Sequence, residues 1–185
     1  MKALVLYDSL GGNTEKVARR IYSSVSKQKI ECDIVKVDRD TVVDIFDYSV
    51  VFIGSPVITW LPTNTMVEFV KRKMSSYSAS GHIQPCAPLV PGRFAVCFCT
   101  FAGPHTGVHE AIPALKWLSS FMQHLGYQVV DEWHVVGSFH NNEQLSTCGR
   151  MGDIRGRPDD RDLGEIQCRV RGILSALTCT DTPAG

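Results

Sequence analysis

The sequence predicts an α/β protein: a three-layer, doubly wound, five-stranded parallel sheet of order 2-1-3-4-5. Three observations predict it. Short apolar runs alternate with stretches of helical periodicity from one end of the chain to the other. Three of the runs, Ala3–Tyr7, Val50–Ile53 and Phe94–Cys99, are apolar almost without interruption, as strands buried on both faces are. Two others, Glu31–Val37 and Tyr127–Gly137, mix β-formers with polar residues, and the order 2-1-3-4-5 puts these two at the sheet edges.

The helical stretches show apolar residues on one face. Val17, Ile21 and Val25 form the first stripe with Ala18 beside them, and Met66, Phe69 or Val70, and Met74 form the second. Val108, Ile112, Leu115, Leu118, Met122 and Leu125 form the third, stopped by Gly126. Leu163, Ile166, Val170, Ile173 and Leu177 form the fourth. The stretch Asp38–Phe46 is expected to hold one more short helix. Two segments are irregular, Ser78–Gly92 and Ser138–Arg157. No internal repeat, low-complexity tract or linker interrupts the pattern, so residues 1–185 are expected to form one domain.

Composition removes several function classes. Apolar residues make up 44% and charged ones 21%, and 19 basic residues balance 19 acidic ones. No global field points to nucleic acid or an anionic membrane. The run that follows Met1 is too short for a signal segment or a membrane span, so a cytoplasmic protein is expected. Seven Cys, an odd number, with no C-x-x-C, give neither a disulfide framework nor a common zinc or iron–sulfur pattern. His105 and His109 are the one histidine pair at metal-ligand spacing, and they lack a carboxylate or thiol pattern beside them, so no metal site is expected. No catalytic triad or Cys-His pair can be drawn from the sequence. Cys97 and Cys99 alternate on a buried strand and read as core.

The chemistry-bearing feature is the turn after the first strand: Asp8, Ser9, Leu10, Gly11, Gly12, Asn13 and Thr14, then a helix. A turn of this kind aims free backbone N–H groups and the positive end of a helix dipole at one point. Glycine lets the backbone approach an anion closely, and Ser9 and Thr14 add hydroxyls. Neither the Gly-Lys-Ser/Thr of a triphosphate loop nor G-x-G-x-x-G is present. A loop with no Lys or Arg suits a monophosphate bound by neutral donors. The alternative is a plain strand-to-helix turn in which Ser9 or Thr14 caps the helix.

The run from Val5 to Ala18, with Ser9-Leu10-Gly11-Gly12-Asn13-Thr14 at its centre, resembles the FMN phosphate loop of flavodoxins. Leu10 and Gly11 stand where that family often has Thr. The resemblance implies FMN as cofactor, with the phosphate held by Ser9, Leu10, Gly11, Gly12, Asn13 and Thr14. It also implies that the loops after the third and fourth strands converge on the flavin, because ligands sit where the winding of such a sheet reverses.

The second loop offers Ser55, Pro56, Val57, Ile58, Thr59 and Trp60, with Pro62 beyond. Trp60 either presents a flat face to the flavin ring or packs on the core beneath its own loop. The third offers Thr100, Phe101, Ala102, Gly103 and His105; Phe101 is a candidate for the second ring face, and His105 for the pyrimidine edge or for a plain exposed position. The segment 149–158 carries Arg150, Arg155 and Arg157, with Arg161 just beyond. It reads either as a flap or phosphate-partner contact, NADPH included, or as a solvated excursion into the last helix.

Flavodoxins are often acidic, whereas this chain is formally neutral and its three loops carry few carboxylates. The expected function is electron transfer through FMN with a redox-protein partner. The alternatives are an NAD(P)H-dependent FMN oxidoreductase acting on a quinone, flavin or similar acceptor, and a non-redox binding module on the same fold.

Overall fold

The computed structural model describes the backbone of residues 1–180 and the side chains of residues 1–178, so the Cys179 side chain lies outside the described residues. Five strands, β1 (Lys2–Tyr7), β2 (Glu31–Lys36), β3 (Val50–Pro56), β4 (Phe94–Phe101) and β5 (Gln128–Val136), form one sheet of order β2-β1-β3-β4-β5. Every pairing is parallel; Leu6 stands beside Val35 and Ile53, and Ile53 beside Cys97. The crossovers are carried by α1 (Asn13–Ser26), α2 (Asn64–Ala79) and α3 (Ile112–His124), and α5 (Asp160–Thr180) closes the described chain. A short α4 (Glu143–Thr147) lies within the segment that was expected to be irregular.

Alternation along the strands builds the three layers. Leu4, Leu6, Val51, Ile53, Cys97 and Cys99 face a core filled by Phe69, Leu115, Leu118 and Met122 of α2 and α3. Val5, Phe52, Val96, Phe98 and Trp133 face the opposite core, filled by Val17, Ile21, Val170 and Leu174 of α1 and α5. Each large side chain so buried contributes about 1.5–3 kcal/mol. β2 and β5 are the edges, as their polar residues require. Burial pushes the Cys97 thiol up to about 12 and raises Cys99 further, so both are packing groups without thiolate character.

Two expectations are corrected. The third stripe does not begin at Val108: Gly107–Glu110 is a 3-10 turn, and α3 starts at Ile112 with Pro113 in its first turn. Proline has no N–H to give to a preceding helical turn, so Val108 and Ile112 remain partly exposed. Asp38–Phe46 is not a helix; the first helical turn there is the 3-10 turn Ile45–Asp47, capped by the Asp44 carboxylate accepting from the Phe46 N–H. Upstream, the Asp38 carboxylate accepts from the Asp40 N–H and the Thr41 hydroxyl, a local turn that competes with helix.

Candidate functional site

The site is built where β1, β3, β4 and β5 deliver their C-terminal ends. At β1 the chain leaves the sheet through Asp8, a buried carboxylate that accepts from the Ser9 N–H (2.7 Å) and from the Thr63 hydroxyl (2.5 Å). Thr63 in turn caps α2 and donates its N–H to the Ser55 hydroxyl (3.0 Å). This network locks the loops after β1 and β3 together. Ser9 Oγ accepts from the Gly12 and Glu15 N–H groups, at 3.1 and 3.2 Å. Gly12 starts α1 at φ +89°, a conformation costly for any residue with a Cβ. Among the described residues, the N–H groups of Leu10, Gly11, Asn13 and Thr14 have no acceptor. Four orphan donors thus gather at the positive end of a 14-residue helix.

A cavity of about 210 Å³ opens against these donors. Ser9, Leu10, Gly11, Asn13, Thr14, Pro56, Thr100 and Gly137 are in its wall. It runs into a second chamber of about 560 Å³, sharing Val57, Ile58, Phe101, Ala102 and Phe139 with it. Thr59, Trp60, Gly103, His105, Glu110 and Leu145 belong to the chamber alone. All the expected site residues reach one cavity or the other except Gly12 and Ser55. Gly12 acts as a turn residue, and the Ser55 hydroxyl is spent on Thr63 and on the Pro56 carbonyl.

Several of these residues carry a structural task as well. The Asn13 amide donates to the Ser138 carbonyl (2.8 Å) and ties the first loop to the segment after β5. Thr14 and Thr100 hydroxyls, both buried, share a hydrogen bond of 2.7 Å. Two hydroxyls hold two protons and one mutual bond uses one of them, so the pair retains a proton for a ligand. Phe101 is mostly core, edge-on to His134, yet contributes to both cavities.

Trp60 does not pack on the core. It is 57% exposed at the tip of a two-residue turn in which Ile58 and Leu61 exchange backbone hydrogen bonds of 2.8 and 3.1 Å. Both central residues are left-handed, Thr59 at φ +48° and Trp60 at φ +66°, where glycine or asparagine is usual. His105 is an exposed loop residue on the chamber's rim. The carboxylate of Glu110 folds back to accept from the His105 and Thr106 N–H groups, at 2.8 and 2.7 Å, which brings an acid to a loop whose own residues have none.

Sequence reasoning missed the fourth wall, made by Gly137, Ser138, Phe139, His140 and Leu145. The segment they begin is tied down at several points while many of its residues stay exposed: the Ser138 N–H donates to the Arg157 carbonyl, the Phe139 N–H to the Ser146 hydroxyl, the Arg150 N–H to the Pro104 carbonyl, and Ile154 is buried. Its arginines are largely neutralised in place. Arg155 pairs with Asp153 and Glu143, and Arg157 with Asp162. The Asp153 carboxylate, held by Arg155, falls to about 2. Pro158 precedes α5 rather than lying in its first turn. The local signal was the acids interleaved with those arginines.

The arrangement suits an elongated ligand with an anionic end and a flat, largely apolar end. The orphan N–H groups and hydroxyls meet the first, and Trp60, Phe101, Phe139 and Leu145 the second. Among the described residues no group of His, Cys, Asp and Glu could hold a metal ion, and no helix is long and apolar enough to cross a membrane.

The fold is flavodoxin-like. Residues 4–74, from β1 through most of α2, match the flavodoxin-domain family. The flavodoxin-like domain-containing protein BilS of Clostridioides difficile (strain CD3) is 45% identical over 56 residues, which spans 29% of this chain and 30% of that protein. Two solved structures share the whole fold. A flavodoxin from the domain Archaea has a TM-score of 0.66 at 17% identity, covering 96% of this chain and 99% of its own. Flavodoxin 2 from Bacillus cereus has a TM-score of 0.67 at 13% identity, covering 95% and 99%.

Proposed function

We propose that this chain, folding as one domain, binds a single FMN and serves as an electron-transfer protein with a redox-protein partner. One observation carries the reading. The orphan donors at the start of α1 and the aromatic chamber beside Trp60 are two compartments of one trough that share Val57, Ile58, Phe101, Ala102 and Phe139, so one ligand can reach both. Bound FMN would supply one- and two-electron chemistry; the protein holds, orients and shields it. The N–H groups of Leu10, Gly11, Asn13 and Thr14 would hold the phosphate, with the remaining proton of the Thr14–Thr100 pair. Trp60 offers an exposed indole face to the ring, and the 138–147 segment excludes water from the other side of the trough.

The test is reconstitution. The purified protein should take up one equivalent of FMN, with quenched flavin emission, and bind riboflavin far more weakly. Equal affinity for the two would remove the phosphate argument, and no uptake of either would leave the non-redox module. A second reading, an NAD(P)H-dependent FMN oxidoreductase, is favoured by the size and walling of the chamber. At about 560 Å³, closed on one side by Phe139 and Leu145, it has the volume of a small-molecule site. NAD(P)H oxidation by the FMN-loaded protein without a partner reductase separates the second reading from the first.

A further inference from the structure

The flavin reading leaves one side chain of the first cavity without a role. His140 comes from the segment after β5, far in sequence from the first loop, yet its side chain lies against that loop. A Cβ placed on Gly11 would stand 3.1 Å from both Cγ and Nδ1 of the imidazole, so Gly11 is the residue that admits the ring. The Gly11 N–H is one of the orphan donors.

The placement is built rather than incidental. Ser138, two residues earlier, is held by the Asn13 amide (2.8 Å) and by its own N–H on the Arg157 carbonyl (3.0 Å). Phe139 is held by the Ser146 hydroxyl (3.0 Å). His140 is thus delivered to the donors of α1 by a fixed strut.

Charge gives the position its meaning. A phosphate monoester carries up to two negative charges near neutral pH. The first loop offers it neutral donors only, with no Lys or Arg from Asp8 to Thr14. Among the side chains lining the cavity, His140 alone can become a cation, and none is a carboxylate. The acids in the surrounding elements are engaged elsewhere: Asp8 with Ser9 and Thr63, Glu15 with Arg19, and Glu143 with Arg155. A dianion in this cavity would therefore find one counter-charge, and it would be this imidazole.

We propose that His140 is a phosphate ligand of this site and adds the one cationic contact to the neutral donors by which it selects a phosphorylated flavin over its dephosphorylated form. The proposal rests on the flavin reading above. The experiment is a fluorescence titration of the apoprotein with FMN and with riboflavin, in the wild type and in His140→Ala, His140→Gln and His140→Lys. His140→Ala should weaken FMN by about ten- to a hundredfold, the value of a charge-assisted hydrogen bond, and leave riboflavin unchanged. His140→Gln should recover only part of the loss, and His140→Lys most of it. His140 is exposed, so unfolding midpoints should agree across the series. Unchanged FMN affinity, or an equal loss for both flavins, would overturn the proposal while leaving the flavin reading intact. A wild type that binds neither flavin would overturn both.

Discussion

Replacing Thr14 tests whether the first loop is wired to β4 as the structure has it. Thr14 and Thr100 are 1% and 3% exposed, and among the described residues each has the other as its only side-chain partner, at 2.7 Å. Thr14→Val keeps the shape and strands the Thr100 hydroxyl in a buried place, at a cost of about 1–3 kcal/mol. Thr100→Val should cost the same. The double variant removes both polar groups together and should be nearly neutral, so the coupling should equal the sum of the two single costs, about 2–6 kcal/mol. Against a total of about 5–15 kcal/mol, every variant stays folded. Urea unfolding reads the cycle, with each kcal/mol worth roughly 2–4 °C in a parallel thermal scan. The double variant should nevertheless bind FMN about tenfold more weakly, because the spare proton is gone. Additive single-variant costs would refute the hydroxyl pair, and undiminished FMN affinity in the double variant would refute its reach to the phosphate.

Four other outcomes are expected. Gly54→Ala should destabilise the fold by about 1–3 kcal/mol or more, because its Cβ would overlap the Phe98 ring; an unchanged urea midpoint would refute the packing. Trp60→Ala should leave apoprotein stability within about 0.5 kcal/mol, since the indole is exposed, yet restore flavin emission or release flavin; intact quenching would make Trp60 a bystander. Glu110→Gln keeps an acceptor for the His105 and Thr106 N–H groups with the charge removed, and should raise the reduction potential of bound FMN by tens of millivolts, roughly, and less at high salt; an unmoved potential places the carboxylate outside the ring's field. Burial pulls the Asp162 carboxyl upward, but the Arg157 hydrogen bond, the Asp159 N–H and the Arg157 charge outweigh it, and the net shift is downward. That stabilisation is present above the unfolded value of about 4 and is lost as pH falls through the lower folded value. Asp162→Asn should therefore cost more stability at pH 7 than at a pH below the folded value, and equal costs at both would refute the pairing.

Much of this was legible in the residues because it rests on local chemistry. Continuous apolar runs fixed which strands are central, and Gly12-Asn13-Thr14 after a strand fixed where a helix would present its donors. Val108 was misread because a 3-10 turn shares enough periodicity with a helix to extend a stripe past its true start. The fourth wall was invisible for a different reason. Nothing around Phe139 or His140 announces a contact with Gly11, since the contact depends on where β5 ends relative to β1, with two strands between them. Glu110 was visible as a residue but not as a neighbour, because only the fold-back onto His105 brings its charge to the site.

The tie between Asn13 and Ser138 joins residues 125 positions apart. The segment it anchors is closed in turn by the Arg157 carbonyl, and Arg157 is held by Asp162 at the start of α5. During synthesis the first loop leaves the ribosome well before its opposite wall, which is held through Arg157 and Asp162. On the FMN reading, flavin capture would be a late event, and the half-made trough would hold the cofactor only loosely while the sheet is still being laid down. Loading would then report on completion: a chain stalled or cut before α5 would carry the first loop and still fail to keep a flavin.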